Sequence, residues 1–190
     1  MAGMRNQMAV SASMRAFAGD ERVGYRRKGY AVTEAARTTL LTLDDLSVGQ
    51  RFTSGSHALD AAEIKAFAAQ YDPQPFHLDD AAAKDTLFGG LAASGWHTVA
   101  ITMRLLVQAG LPLKGGIIGS GGTIEWPRPT RPGDVLTVES EVLEIKPSRS
   151  RPDRGTAVVR SETRNQRGEV VQVITMKLVV PRRAVAIDVR

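Results

Sequence analysis

Ser94-Gly95-Trp96-His97-Thr98-Val99-Ala100-Ile101-Thr102-Met103-Arg104-Leu105-Leu106-Val107-Gln108-Ala109-Gly110-Leu111-Pro112 is the stretch that decides the fold. From Trp96 to Ala109 it holds neither Asp nor Glu, and Trp96, Val99, Ala100, Met103, Leu106 and Val107 form a wide apolar stripe at helical spacing. Gly110-Leu111-Pro112 supplies the stop. A helix this apolar has to be enclosed by something else. The enclosing material follows it: Thr123–Trp126, Val135–Ile145, Thr156–Asn165 and Glu169–Val180 are rich in β-branched residues with period-two stretches. Asn165-Gln166-Arg167-Gly168 reads as the hairpin turn between the last two. Four or more strands after the helix, and one or two before it, predict an α+β domain in which an antiparallel sheet curls around one long central helix.

Working outward, Leu46-Ser47-Val48-Gly49-Gln50-Arg51-Phe52 reads as a turn leading into a strand. Asp60-Ala61-Ala62-Glu63 has the form of a capping box, Asp60 accepting from first-turn amides while Glu63 reaches back. Ile64, Phe67, Ala68 and Tyr71 then define one buried face of a helix. Pro73 and Pro75 end that helix near Tyr71, because each pushes the preceding residue out of the α region. The Gly-rich stretch 115–122 fits neither a P-loop nor a dinucleotide fingerprint.

The domain is expected over residues 40–181, with 1–39 as a disordered N-terminal extension and 182–190 as a C-terminal tail. Residues 1–40 show no sustained period; a mis-assigned translation start or an Arg-rich transit peptide are the other readings. The formal net charge is +5, but residues 1–40 carry seven Arg/Lys against three acids, so the body is nearly neutral. A nucleic-acid partner would require basic side chains concentrated on the folded part. No apolar run reaches the roughly 18 residues that span a bilayer, so no membrane partner is expected and a cytoplasmic location is the default. Cysteine is absent, which excludes disulfides, thiolate metal ligands and a cysteine nucleophile.

The chemistry-bearing residues cluster around the two prolines. Asp72 and His77 lie five apart in Asp72-Pro73-Gln74-Pro75-Phe76-His77. A stiffened loop lets both side chains converge on one point with little further entropy loss. A carboxylate and an imidazole sharing one water make a general acid/base pair. The alternative is an ordinary helix-to-helix turn with an incidental histidine. Ser94-Gly95 opens the apolar helix, whose N-terminal amides carry partial positive charge, and a glycine admits close approach of a ligand. These amides either bind a developing oxyanion or are simply capped by Ser94.

Phe67-Ala68-Ala69-Gln70-Tyr71-Asp72-Pro73-Gln74-Pro75-Phe76-His77 resembles the hydratase motif of the MaoC-like dehydratases, whose core is Asp-x-Asn-Pro-x-His. Phe88-Gly89-Gly90-Leu91-Ala92-Ala93-Ser94-Gly95-Trp96-His97-Thr98 is similar to that family's helix entry, and Arg128-Pro129-Thr130-Arg131-Pro132-Gly133-Asp134-Val135 to its strand turn. The three occur in the family's order. The resemblance implies a hotdog fold, a homodimer or larger homo-oligomer, and an (R)-specific enoyl-CoA hydratase or a related acyl thioester dehydratase. It implies Asp72 and His77 as the catalytic pair, the Gly95 amide on the thioester carbonyl oxygen, and Ser94 in support. No metal and no cofactor is implied beyond the coenzyme A or carrier phosphopantetheine of the substrate. The chain departs from the pattern at Gln70-Tyr71, where the family often has Ser-Gly, and at Gln74, where it has Asn. Tyr71 and Gln74 therefore bear on substrate choice.

Arg128 faces either the site or solvent. Arg149 and Arg151, in the basic stretch 146–155, either meet coenzyme A phosphates or lie on a solvated hairpin tip. His57 and His97 lack metal-ligand spacing, and His97 is expected as a buried helix residue. Trp126 is expected to pack in the core or a dimer contact rather than against a ligand. Two rivals remain: a hotdog thioesterase, disfavoured because residues 96–109 lack an acid, and a non-catalytic acyl-thioester binder.

Overall fold

A computed structural model describes residues 39–183. The expectations for 1–39 and 182–190 fall outside these residues, apart from Thr39, Arg182 and Arg183. Five strands, β1 (Arg51–Ala58), β2 (Gly119–Glu125), β3 (Val135–Pro147), β4 (Arg154–Arg164) and β5 (Val170–Pro181), form one sheet in the order β1-β3-β4-β5-β2, with every neighbouring pair antiparallel. One strand precedes the central helix and four follow it. Alternation along β4 is strict, each second residue buried, as a sheet packed on one face requires. The β4–β5 turn is at Asn165–Gly168, where Gly168 takes φ +75° and its N–H donates to Asn165 O at 2.9 Å. β2 begins earlier than sequence periodicity suggested, because Gly119–Gly122 extend as strand against β5.

Helix α1 (Ala61–Tyr71) is followed by two short helices, α2 (Pro75–Leu78) and α3 (Asp80–Lys84), and then by the central helix α4 (Gly95–Leu105), which runs on into a π turn at Leu106–Gly110. Ile101, Leu105 and Leu106 of this helix pack with Ile64 of α1 and Val138, Val142, Val159 and Leu178 of the sheet. Each such side chain contributes roughly 1.5–3 kcal/mol on burial.

Two sequence expectations are corrected here. On α1, Ile64 and Ala68 are buried, but Tyr71 is 69% exposed and only leans on Phe67 at a ring-centroid distance of 5.0 Å. On α4 the inward face is only partly the apolar stripe: Leu106 is buried, and Val99 and Met103 are half-buried. His97, Thr98, Ile101, Thr102 and Leu105 point in, whereas Trp96 and Val107 are 60% and 65% exposed. The threonines turn inward because partners await them: Thr98 Oγ1 donates to Thr130 Oγ1 (3.0 Å), and Thr102 Oγ1 pairs with Thr163 Oγ1 (2.6 Å) and accepts from Gln172 Nε2 (2.8 Å). Buried hydroxyls are tolerated only when paired in this way.

Candidate functional site

Asp72 is the C-cap of α1, with its N–H on Ala68 O, and Pro75 is the first residue of α2. Proline suits that place, since its fixed φ is helical and its missing N–H would have had no partner. The double-proline segment is thus an extended link into a single helical turn, and that turn carries His77 back toward Asp72. Asp72 Oδ2 lies 3.4 Å from His77 Nε2. His77 Nδ1 is 2.8 Å from Ala92 O. A carbonyl only accepts, so Nδ1 carries a proton and Nε2 is the atom presented to Asp72.

Asp72 is held on its other sides by Gln74, whose Nε2 donates to Oδ1 at 2.7 Å, and by the Ser94 hydroxyl. Burial pushes this carboxyl up, but the hydrogen bonds from Ser94 and Gln74 and the His77 imidazole more than offset it. The result is a carboxyl below its ordinary value, ionised at neutral pH. Both side chains are largely enclosed, 18% exposed for Asp72 and 5% for His77.

Ser94 is fully buried and caps α4, its Oγ accepting from Trp96 N at 3.2 Å. It therefore joins the helix cap to the acid. The Gly95 N–H has no backbone acceptor among the described residues and lies at the positive end of the helix. A Cβ on residue 95 would sit 2.8 Å from Cε2 of Trp126, so the missing side chain also makes room for an indole.

These groups line a cleft of about 470 Å³, walled by Phe76 and Phe88 on one side and by the segment Trp126–Thr130 on the other. Of the residues singled out in the sequence, Asp72, Gln74, His77, Gly95 and Arg128 line it, and Ser94 lies behind it. Trp126 lines it as well. Tyr71 does not. Arg149 and Arg151 belong to the β3–β4 tip, beside Arg154, which pairs with Pro181. The cleft lies beyond Glu125, which pairs with Val173, and eight residues of strand separate the two levels, about 26 Å. These arginines are thus solvated tip residues of the protomer. A second concavity of about 320 Å³ on the sheet holds ion pairs such as Arg51–Glu141 (2.8 Å) and Arg164–Glu139 (3.3 Å), without an acid and imidazole facing one space.

Sequence reading missed two features. Arg131 donates to the carbonyls of Phe88, Gly90 (2.7 Å) and Leu91 (3.1 Å), clamping the entry to α4. It lies in the stretch Arg128–Val135, and nothing local in the sequence says what it grips. Glu63 does not reach back as a capping-box residue. Only Asp60 caps, accepting from Glu63 N at 2.7 Å. The Glu63 carboxylate instead takes His57 Nε2 at 3.0 Å and lies 3.6 Å from His97 Nε2. His97 is buried as expected, stacked on Phe67 at 4.5 Å, and desolvation holds it below the ordinary histidine value despite Glu63. Among the described residues no group of three or more His, Cys, Asp or Glu is arranged to hold a metal ion, and no helix is long and apolar enough to cross a membrane.

A single antiparallel sheet wrapped on a central helix, with an acid and an imidazole at that helix's N-terminus, defines a hotdog protein of the hydratase and dehydratase type. Residues 41–165 match the model of the MaoC like domain, and the chain belongs to that family. It is similar to the MaoC-like dehydratase of Rhodospirillum rubrum, at 64% identity over 76% of this chain and 99% of that one, with a TM-score of 0.75. It is also similar to the (R)-hydratase of A. caviae involved in PHA biosynthesis, at 33% identity over 73% and 98% of the chains, TM-score 0.56. A third relative is the 3-hydroxybutyryl-CoA dehydratase of Methylorubrum extorquens, 32% identical over 59% of this chain and 70% of that protein.

Proposed function

We propose that the protein catalyses the reversible addition of water to a trans-2-enoyl thioester, with Asp72 and His77 as the catalytic pair. The observation that carries this reading is the Asp72–His77 contact, 3.4 Å between Oδ2 and Nε2, opening on the cleft that Gly95 also lines. Asp72 and His77 hold one water. As its oxygen bonds to C3, the pair takes up the water proton and delivers a proton to C2 on the same face. The electron pair of the double bond moves toward the thioester, and the Gly95 N–H, at the positive end of α4, stabilises the enolate-like oxygen. Ser94 and Gln74 keep Asp72 ionised and fixed.

The handle of the substrate is coenzyme A or a carrier phosphopantetheine, and no other cofactor enters the step. The similarity to a 3-hydroxybutyryl-CoA dehydratase supports a CoA thioester, and Arg128 supplies a cation at the cleft for its phosphates. The working form is a homodimer: Trp96, Val107 and Ile118 are exposed apolar residues, and β2 is an edge strand, features that water-facing surfaces usually cover.

The test is to supply enoyl-CoA esters and follow loss of the conjugated-enoyl absorbance. Asp72→Asn should lower kcat by ~10²–10⁴-fold. Full activity in that variant would end the dyad assignment, and thioester hydrolysis without hydration would replace the reading with a thioesterase.

A further inference from the structure

Trp126 follows β2 and stands between the core and the cleft. Its Nε1–H donates to Gln172 Oε1 at 3.0 Å. Gln172 Nε2 in turn donates to Thr102 Oγ1, and Thr102 pairs with Thr163. Gln172, Thr102 and Thr163 are each 0% exposed. They come from β5, α4 and β4, and are wholly enclosed by the core. Three buried polar side chains cost stability relative to a packed apolar core, and what a fully paired network provides in return is a defined geometry. Here the chain of hydrogen bonds ends on the indole, so the indole is what it defines.

The ring so fixed lies beside Gly95 and lines the cleft. With its only polar atom satisfied from the core side, the surface it offers a ligand is wholly apolar. Trp96 leans on it edge to face, with centroids 6.0 Å apart, restricting it from outside. A wall of this kind cannot yield as a methionine or leucine would.

We infer that Trp126 is the residue that limits acyl chain length, confining the site to short acyl thioesters, and that Gln172 is its positioning residue. The inference rests on the reading that the cleft takes an acyl thioester at Gly95. An acyl group whose carbonyl is held there meets the indole within a few carbons, whereas removal of the ring opens the wall beside the helix N-terminus.

Saturated acyl-CoAs from butyryl to decanoyl are the probes, titrated calorimetrically so that no turnover is needed. Wild type should bind butyryl-CoA in preference to decanoyl-CoA. Trp126→Ala should raise the decanoyl-to-butyryl affinity ratio by ten-fold or more, and Trp126→Phe should raise it less. Gln172→Leu, which leaves the indole in place but unanchored, should shift the ratio in the same direction. An unchanged ratio in the Trp126 variants would overturn the inference. So would an equal loss for every acyl-CoA and for free coenzyme A, since the indole would then lie along the thioester arm. If the ratio shifts while wild type hydrates no enoyl thioester, the length assignment stands and the hydratase reading falls. If hydration proceeds and the ratio does not move, the opposite holds.

Discussion

Gly95→Ala adds one methyl at the point where helix, cleft and indole meet. Its Cβ would lie 2.8 Å from Trp126 Cε2 and 3.0 Å from Cζ2. Carbon pairs rest at about 3.5–4.0 Å, so the ring or the helix must yield by roughly 0.7–1 Å. The ring is not free to do so, because its Nε1 is tied to Gln172, which is itself wholly buried. Losing that hydrogen bond strands a buried acceptor at about 1–3 kcal/mol, and absorbing the clash by distortion costs a similar amount. Replacing glycine in a helix returns at most ~1 kcal/mol. The expected net destabilisation is about 2 kcal/mol, a fall in Tm of roughly 4–8 °C for a chain of this size. Urea unfolding and thermal melts of wild type, Gly95→Ala, Trp126→Ala and the double variant form a cycle. With the indole gone, Gly95→Ala should become neutral or stabilising, a coupling of at least ~1 kcal/mol. An additive cycle, or a Gly95→Ala protein as stable as wild type, would show that the indole does not occupy the space the glycine leaves.

Ser94→Ala removes a hydrogen bond that lowers Asp72, so the acid limb of the kcat/KM–pH profile should move to higher pH; an unmoved limb would separate Ser94 from the acid. His97 sits below its ordinary value of 6.5 through burial, so the unfolded chain binds the extra proton first and stability falls as pH drops below about 6.5. His97→Phe, which keeps the stack on Phe67, should flatten that part of the stability–pH curve measured by urea unfolding between pH 7.5 and 5. Arg131→Lys leaves one charge to serve three carbonyls on different residues, which a single ammonium cannot span as a guanidinium does. Turnover should fall by ten-fold or more, and Tm by at least about 6 °C, since two of the three charged hydrogen bonds, each about 1.5–3 kcal/mol, are lost.

What could be read from sequence was local. Asp72 and His77 are five residues apart, and the prolines between them leave few conformations, so their meeting follows from short-range sterics. Ser94 as N-cap and Asn165–Gly168 as a turn are equally local. Most of the differences involve distant partners. The α4 stripe was assigned from apolarity alone, but the orientation of the helix is set by hydroxyl pairs that join Thr98 to Thr130 and Thr102 to Thr163. No periodicity can announce those, since the partners lie on other elements. Glu63 obeyed no local capping rule because two imidazoles, from β1 and α4, offered its carboxylate better donors. Tyr71 continued the spacing of Ile64 and Ala68, yet the helix ends there and no described residue covers its last turn.

The segment from Trp126 to Asp134 shows how a stretch read only as a strand turn comes to govern the site. Trp126 fills the space above Gly95. Thr130 accepts from Ala93 N through its carbonyl (2.9 Å) and from Thr98 through its hydroxyl. Arg131 clamps the carbonyls of residues 88, 90 and 91. The turn beneath is closed by Asp134, whose carboxylate accepts from Arg131 N at 2.8 Å, with Gly133 at φ +85°. Within nine residues, therefore, one strap holds the entry loop, the first turn and the glycine of α4. Because His77 is anchored to Ala92 O in that same entry loop, the strap also fixes the imidazole relative to the helix N-terminus. Displacing it moves the acid–imidazole pair and the Gly95 N–H together. For that reason substitutions in the strap should lower turnover as well as stability.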